Sequence, residues 1–137
     1  MDSTPDHQGW LEKFFAACGG IAGTVHLRTS PDELTLAAAV RIPEPVKQKV
    51  QRVPRGKGMA GLALERDEAI STCNIKTDST GQVQPGARAV DARAGVALPV
   101  HDTQGQVRAV VGIAFTDEKA LSGSELADLG RAAATLP

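Results

Sequence analysis

The chain has 137 residues, of which 42% are apolar and 23% charged, and its formal net charge is −1. This length suits one domain with a real core, and the charge argues against a broad basic surface for nucleic acid or acidic lipid. Aromatic residues make up only 3%, which argues against a stacking platform for bases.

The two cysteines, Cys18 and Cys73, form no C-x-x-C motif. One disulfide is arithmetically allowed, but two scattered cysteines are typical of reduced thiols in a cytosolic protein. No apolar run is long enough to span a membrane, and the polar N-terminus MDSTPDHQGW does not resemble a secretory signal. We therefore expect a cytoplasmic protein without membrane or nucleic-acid partners, with a flexible tail over residues 1–9 and one domain over residues 10–137.

The first half of the chain predicts a helix followed by a hairpin. Apolar residues at helical spacing predict a helix over 8–17, which Gly19-Gly20 ends. Alternating residues predict strands over 21–28 and 34–42, and the turn residues 29–33 join them into an antiparallel hairpin. Segment 46–53 predicts a turn of helix and a brief strand.

The second half adds a further helix, a third strand and a second hairpin. A helix is expected to begin near Gly58, a strand to cover 69–73, and a long polar loop to cover 74–90. Strands over 94–100 and 107–115 form the hairpin, and Ser122 with Glu125 forms a capping box for a helix running to Leu136. This order predicts an α+β domain with a central antiparallel sheet flanked by helices.

Gly56, Gly58 and Gly61 match the dinucleotide-binding pattern G-x-G-x-x-G. A nucleotide-binding turn needs a buried strand before the first glycine, but segment 47–55 is charged and contains Pro54. A Walker loop is excluded as well, because Lys57 is followed by glycine. We interpret Gly56 and Gly58 as positions for positive φ, and Gly61 as a point of close approach.

Three blocks together resemble a GAF domain over nearly the whole chain. They are GKGMAGLA at 56–63, AGVALPV at 94–100 with its partner strand through Val111-Gly112-Ile113, and the ending from Leu121 to Leu129. The resemblance implies a small-molecule pocket under segment 72–93. The candidate ligand-binding residues there are Thr72, Cys73, Asn74, Asp78, Arg88, Asp91 and Arg93.

The polar residues of that segment have two interpretations each. Arg88 and Arg93, on either side of Asp91, suit an anionic ligand, or they belong to a solvated loop with local ion pairs. Cys73 is a redox sensor or a small buried hydrophobic residue.

The family's known activities can be compared with this sequence residue by residue. One enzymatic branch reduces free methionine-R-sulfoxide, but its cysteine positions carry Val50, Ala60 and Val90 here. Haem would need an axial ligand, and neither His7, His26 nor His101 is well placed. Phe115 and Asp117 are too close for the cyclic-nucleotide pattern, and bilin needs aromatics that are scarce. No cofactor or metal is expected.

The resulting hypothesis is a sensory or regulatory module that binds a small molecule or a partner without catalysis. Ligand binding would shift loop 74–93, and the terminal helices would transmit the change across a homodimer. The helix of Trp10, Phe14 and Phe15 and the helix of Leu126 and Leu129 are dimer surfaces or simply core. The alternatives are a redox enzyme using Cys73 and a ligand-free dimerisation scaffold.

Overall fold

The fold was analysed in a computed structural model that describes residues 6–20, 22–42, 44–72, 94–115 and 123–136. Helices and strands alternate irregularly along these residues. In chain order they are α1 (His7–Cys18), β1 (Ala22–Ser30), β2 (Glu33–Val40), α2 (Glu44–Lys49), β3 (Arg52–Pro54), α3 (Gly58–Arg66), β4 (Ile70–Thr72), β5 (Ala94–His101), β6 (Val107–Phe115) and α4 (Gly123–Ala133).

The strands form one sheet in the order β3-β2-β1-β6-β5-β4, and each neighbouring pair is antiparallel. The two predicted hairpins, β1–β2 and β5–β6, meet at the centre of the sheet, where β1 pairs with β6 from Ala22↔Ala114 to Leu27↔Ala109. The α+β class and the central antiparallel sheet flanked by helices are confirmed.

The two faces of the sheet carry different helices. On one face, α1 and α4 cover the larger hydrophobic cluster, whose centre includes Leu11, Val25 and Val111. On the other face, α3 packs on β5 and β6, with Ala63 and Leu64 in a smaller cluster. The strands therefore bury side chains on both faces.

Both ends of α1 are capped by residues that the sequence provides. The Asp6 side chain accepts a hydrogen bond from the Gly9 amide at 2.9 Å, and Gly19 adopts a left-handed conformation with φ 79. The predicted end at Gly19 is confirmed. The helix begins at His7, so the boundary predicted between tail and domain at residue 10 falls inside α1.

The first hairpin is longer in β1 and shorter in β2 than predicted. Ser30 still pairs with Glu33, and the Thr29 and Thr35 hydroxyls are 2.8 Å apart, so the turn contains only Pro31 and Asp32. At its other end, β2 stops at Val40 rather than 42. The next residue, Arg41, has φ 58, which is incompatible with an extended strand.

The short elements in the middle of the chain agree with the prediction. Segment 46–53 contains the end of α2 and the start of β3, and α3 begins at Gly58. At the C-terminus, α4 ends at Ala133, three residues before the predicted end, and a turn leads to the buried Leu136. The capping-box residue Ser122 and the loop 74–90 lie outside the described residues.

Candidate functional site

The face of the sheet that α1 and α4 cover is filled by large side chains. Val25 of β1, Leu98 of β5 and Val111 of β6 are each no more than 1% exposed there. Side chains alternate between the faces of a strand, so their neighbours in sequence point to the α3 side. One neighbour of each, Thr24, Ala97 and Gly112, is much smaller.

On the α3 side, the three central strands present a block of small residues. Ala22 pairs with Ala114 and Thr24 with Gly112, while Gly95 and Ala97 of β5 continue the same rows. A Cβ atom on Gly112 would meet the Thr24 hydroxyl at 2.9 Å and otherwise only the Val96 carbonyl at 3.9 Å, counting described atoms. We call this block the small-residue floor; it consists of Ala22, Thr24, Gly95, Ala97, Gly112 and Ala114.

The floor lies at the end of the sheet where β4 ends and β5 begins. Thr72, the last residue of β4, pairs with Gly95, and β5 begins at Ala94. The smaller hydrophobic cluster under α3 includes Val107 and Val110 of β6 and reaches the floor at Ala97. The floor therefore borders the segment for which the sequence predicts a ligand pocket.

His26 is the buried polar residue next to the floor. It follows Thr24 on the same face of β1, pairs with Val110, and is only 3% exposed. Its Nε2 atom donates a hydrogen bond to the carbonyl oxygen of Val50, 2.7 Å away. A carbonyl only accepts, so the proton is on Nε2 and Nδ1 presents a lone pair.

The Nδ1 atom of His26 is buried and has no hydrogen-bond partner in the described part of the chain. Burial lowers the pKa of this imidazole below its usual value of 6.5, and the hydrogen bond to Val50 opposes that shift only in part. The ring is therefore neutral at pH 7. A neutral imidazole with a free lone pair can accept one hydrogen bond from a donor group.

The glycine motif forms a closed turn between β3 and α3. Gly56 and Gly58 have φ 83 and 66, as their interpretation requires. The Gly56 amide donates to the Gly61 carbonyl at 2.9 Å, and the Lys57 amide donates to the Pro54 carbonyl at 3.1 Å. A Cβ atom on Gly61 would lie 2.4 Å from that Pro54 carbonyl, so α3 approaches β3 closely here.

Of the predicted ligand-binding residues, the structure describes the backbone of Thr72, in β4 beside Gly95. The other six, Cys73, Asn74, Asp78, Arg88, Asp91 and Arg93, lie outside the described residues, as do Val90 and the side chain of Cys18.

The adjacent residues His101 and Asp102 contact different partners. The Nε2 atom of His101 contacts a carboxylate oxygen of Asp67 at the end of α3, and both side chains are about half exposed. Asp102 instead accepts hydrogen bonds from the Gln104 and Gln106 amides, which lower the pKa of its carboxyl group. His101 is therefore the last residue of β5, and Asp102 belongs to the turn between β5 and β6.

The described ranges lack both a membrane-spanning helix and a metal-binding cluster. None of their helices is long and apolar enough to cross a membrane. They also hold no cluster of three or more His, Cys, Asp or Glu side chains arranged to bind a metal ion.

Comparison with solved structures identifies the fold. The GAF domain of a phosphoenolpyruvate-protein phosphotransferase from Acinetobacter superposes with a TM-score of 0.72 at 15% identity, over 93% of this chain and 75% of that one. The chain has the fold of a GAF domain. An A. aeolicus nlh2 GAF domain in an inactive state gives a TM-score of 0.66 at 18% identity, over 94% of this chain and 76% of that one.

An enzyme shares the same GAF fold. The type II free methionine-R-sulfoxide reductase from Thermoplasma acidophilum gives a TM-score of 0.68 at 16% identity, over 90% of this chain and 82% of that one. No protein-family model and no curated protein sequence matches this chain. The resemblance inferred from three weak sequence blocks is therefore confirmed at the level of fold, and fold alone does not identify the activity.

Sequence reasoning considered His26 only as a haem ligand and did not identify its position beside the floor. A signal was present, because His26 lies between Val25 and Leu27 in a strand of the predicted first hairpin. Its interest comes from the unpaired Nδ1 atom, which depends on Val50 approaching from a different element.

Proposed function

We propose that this protein is a cytoplasmic sensory or regulatory module that binds a small molecule over the small-residue floor without catalysing its conversion. The observation that carries this proposal is the unpaired Nδ1 atom of His26 beside that floor. The shared fold with a GAF domain of a phosphotransferase and with a GAF domain in an inactive state supports a regulatory role.

The chemistry of the floor favours a compact ligand that carries a hydrogen-bond donor. Leaving a buried acceptor unpaired costs about 1–3 kcal/mol, so a donor that reaches Nδ1 of His26 recovers part of that cost on binding. The Thr24 hydroxyl lies on the same face and can donate or accept. Gly112 and Ala114 add no bulk between the ligand and the sheet.

The ligand would be covered by segment 72–93, to which the sequence assigns the remaining contacts. In this proposal Arg88 and Arg93 hold an anionic part of the ligand, as guanidinium groups do in forked geometry. Regulation requires that the ligand binds two states of the domain with different affinity.

Thermal unfolding in the presence of a compound panel tests the proposal. The panel contains nucleotides, amino acids, small carboxylic acids and inorganic anions. A compound at 100 times its dissociation constant raises the free energy of unfolding by about 2.7 kcal/mol. The shift should be lost in His26→Gln and in Gly112→Val, which fills the floor, and kept in Gly130→Ala, which lies on α4 with no described atom within 4 Å of an added Cβ.

Two results would contradict the sensor proposal. If no compound stabilises the wild-type protein, the ligand-free scaffold is favoured. If the protein reduces methionine sulfoxide or peroxide with added thiol and loses this activity in Cys73→Ser, it is a redox enzyme. The positions of the reductase cysteines at Val50 and Ala60 carry no thiol, which disfavours that outcome.

Transmission through the terminal helices is proposed to use a homodimer. Leu11 and Phe14 are buried in the larger hydrophobic cluster, whereas the residues packed against it are only partly buried, namely Trp10, Phe15, Leu126 and Leu129. Light scattering across a range of protein concentrations tests for the dimer. Leu126→Ala combined with Leu129→Ala should yield a monomer, and a protein that is monomeric throughout removes the dimer from the proposal.

A further inference from the structure

The outer edge of β2 is only partly covered by β3. The two strands pair from Glu33 to Thr35, and one more hydrogen bond runs from the Leu36 amide to the Gln51 carbonyl at 2.8 Å. β2 itself continues to Val40. Beyond Leu36, its edge therefore has no strand beside it in the described part of the chain.

The far end of this edge is met by a side chain instead of a strand. The Gln8 amide of α1 donates to the Ala39 carbonyl at 2.9 Å and accepts from the Ala39 amide at 3.2 Å. A side-chain amide thus makes the pair of hydrogen bonds that a neighbouring strand would make. Between Gln8 and Gln51 a groove of about 390 Å³ remains along the backbone of β2.

The groove gives access to the main chain because its strand carries small side chains. Ala37, Ala38 and Ala39 follow one another, and Ala37 is exposed. Ala37 is also an extra residue in the pairing with β1, where Val25 faces Ala38 and His26 faces Leu36. An exposed strand edge is a template for pairing with another extended chain.

The walls of the groove are basic. Lys47 and Arg52 line it, and neither has an ion-pair partner in the described ranges. They belong to the most basic stretch of a chain whose net charge is −1. Segment 41–57 contains one acidic residue, Glu44, and the basic residues Arg41, Lys47, Lys49, Arg52, Arg55 and Lys57.

We propose that this groove binds an extended acidic peptide segment of a partner protein. The segment adds as a short strand to the edge of β2 at Ala37–Ala39, where it displaces the Gln8 side chain from the Ala39 amide and carbonyl, and it places its carboxylates against Lys47 and Arg52. Main-chain hydrogen bonds then provide the affinity, and charge provides the selectivity. A groove of this size accommodates only a few residues, so the segment is short.

A peptide explains the groove better than nucleic acid does. Among the described residues, its lining contains no aromatic side chain on which a base could stack. Its central feature is a strand backbone, which pairs with another peptide backbone.

The test measures binding of a fluorescein-labelled peptide of eight residues, alternating Glu with Val, to the full chain by fluorescence anisotropy. Two control peptides are matched to it: one has Lys in place of Glu, and one has alternate backbone amides N-methylated to prevent strand pairing. Lys47→Glu combined with Arg52→Glu should weaken binding of the acidic peptide at least tenfold. Arg66→Glu, an exposed charge reversal on α3, should leave it within twofold.

Both control peptides should bind at least tenfold more weakly than the acidic peptide, and raising the salt concentration should weaken binding further. The proposal is overturned if the acidic peptide fails to bind at 1 mM, or if the N-methylated peptide binds equally well. It is also overturned if the double reversal has no effect, or if oligo(dT) displaces the peptide while binding more tightly, which would identify a nucleic-acid site.

Discussion

The Nε2 atom of His26 lies 2.7 Å from the carbonyl oxygen of Val50, which joins the centre of the sheet to the connection between α2 and β3. This contact orients the imidazole and places its proton on Nε2. It leaves Nδ1 of His26, two residues along β1 from Thr24 of the small-residue floor, without a partner in the described part of the chain. The same contact therefore joins two elements of the fold and leaves free the acceptor atom that we assign to ligand binding.

The buried imidazole predicts a dependence of stability on pH. Burial lowers the pKa of His26 in the folded chain below its usual value of 6.5, which applies to the unfolded chain. Between the folded-state pKa and 6.5, the unfolded chain therefore binds more protons than the folded chain. The free energy of unfolding should rise with pH through this window. With respect to His26, the free energy of unfolding should reach its full value above about pH 6.5. It should fall at lower pH, by at most about 1.4 kcal/mol per pH unit.

Urea unfolding between pH 5 and 7.5 measures this slope in the wild type and in His26→Gln. The variant should lose the part of the pH slope that His26 causes, whatever its absolute free energy of unfolding. His101→Gln, which removes an exposed imidazole, serves as the control. An unchanged slope in His26→Gln would show that another group causes the pH dependence.

The close approach of α3 to β3 predicts that Gly61 does not tolerate a side chain. An added Cβ would lie 2.4 Å from the Pro54 carbonyl oxygen, so either the turn or the helix must move. Gly61→Ala should lower the free energy of unfolding by about 1–3 kcal/mol. Chemical denaturation measures the change.

Gly130→Ala is the matched control for that substitution. Gly130 also lies in a helix, but no described atom is within 4 Å of its added Cβ. It should raise stability by about 0.5–1 kcal/mol, because alanine favours the helix. Equal effects at the two glycines would contradict the close approach.

Two residues with positive φ outside the helices predict stability changes of opposite sign on substitution. Arg41 has φ 58, so Arg41→Gly removes a strain of about 1–2 kcal/mol, partly offset by the entropy of glycine in the unfolded chain. Gly105, with φ 81, has no described atom near its added Cβ, so Gly105→Ala tests conformation alone. We expect Arg41→Gly to raise the free energy of unfolding by up to about 1 kcal/mol and Gly105→Ala to lower it by about 1 kcal/mol. Thermal denaturation gives both signs, and a loss in Arg41→Gly would mean that the arginine side chain stabilises this position.

The buried side of α1 predicts a large cost for truncating Leu11, which is fully buried between the helix and the sheet. Leu11→Ala should lower the free energy of unfolding by about 2–5 kcal/mol, through lost burial and the remaining cavity. The effect should not depend on protein concentration. A loss below 1 kcal/mol would indicate that α1 is held chiefly by contacts other than this core.

The sequence predicted the elements well where pattern and local chemistry coincide. Gly19 ends α1, α3 begins at Gly58, and both hairpins form, because capping, positive φ and alternation act within a few residues. Boundaries were less accurate where one residue's backbone conformation decides them. Arg41 ends β2 through its left-handed φ, which no apolar pattern indicates.

The site was less predictable because it depends on residues far apart in the chain. Sequence reasoning placed the ligand contacts in segment 72–93, most of which lies outside the described residues, and did not identify the floor. The small residues Thr24, Gly95 and Gly112 form one surface only because β1, β5 and β6 pair in this register. The groove beside β2 likewise needs α1 to bring Gln8 to Ala39.

The order of residues alone therefore decided the class of fold and the role of the glycines Gly56, Gly58 and Gly61. These follow from backbone preferences and hydrophobic periodicity, which are local and appear directly in the sequence. Only the tertiary structure decided which polar atom is buried without a partner and which strand edge remains uncovered. Both depend on hydrogen bonds between distant elements, such as the one from His26 to Val50, whose formation or absence no single segment specifies.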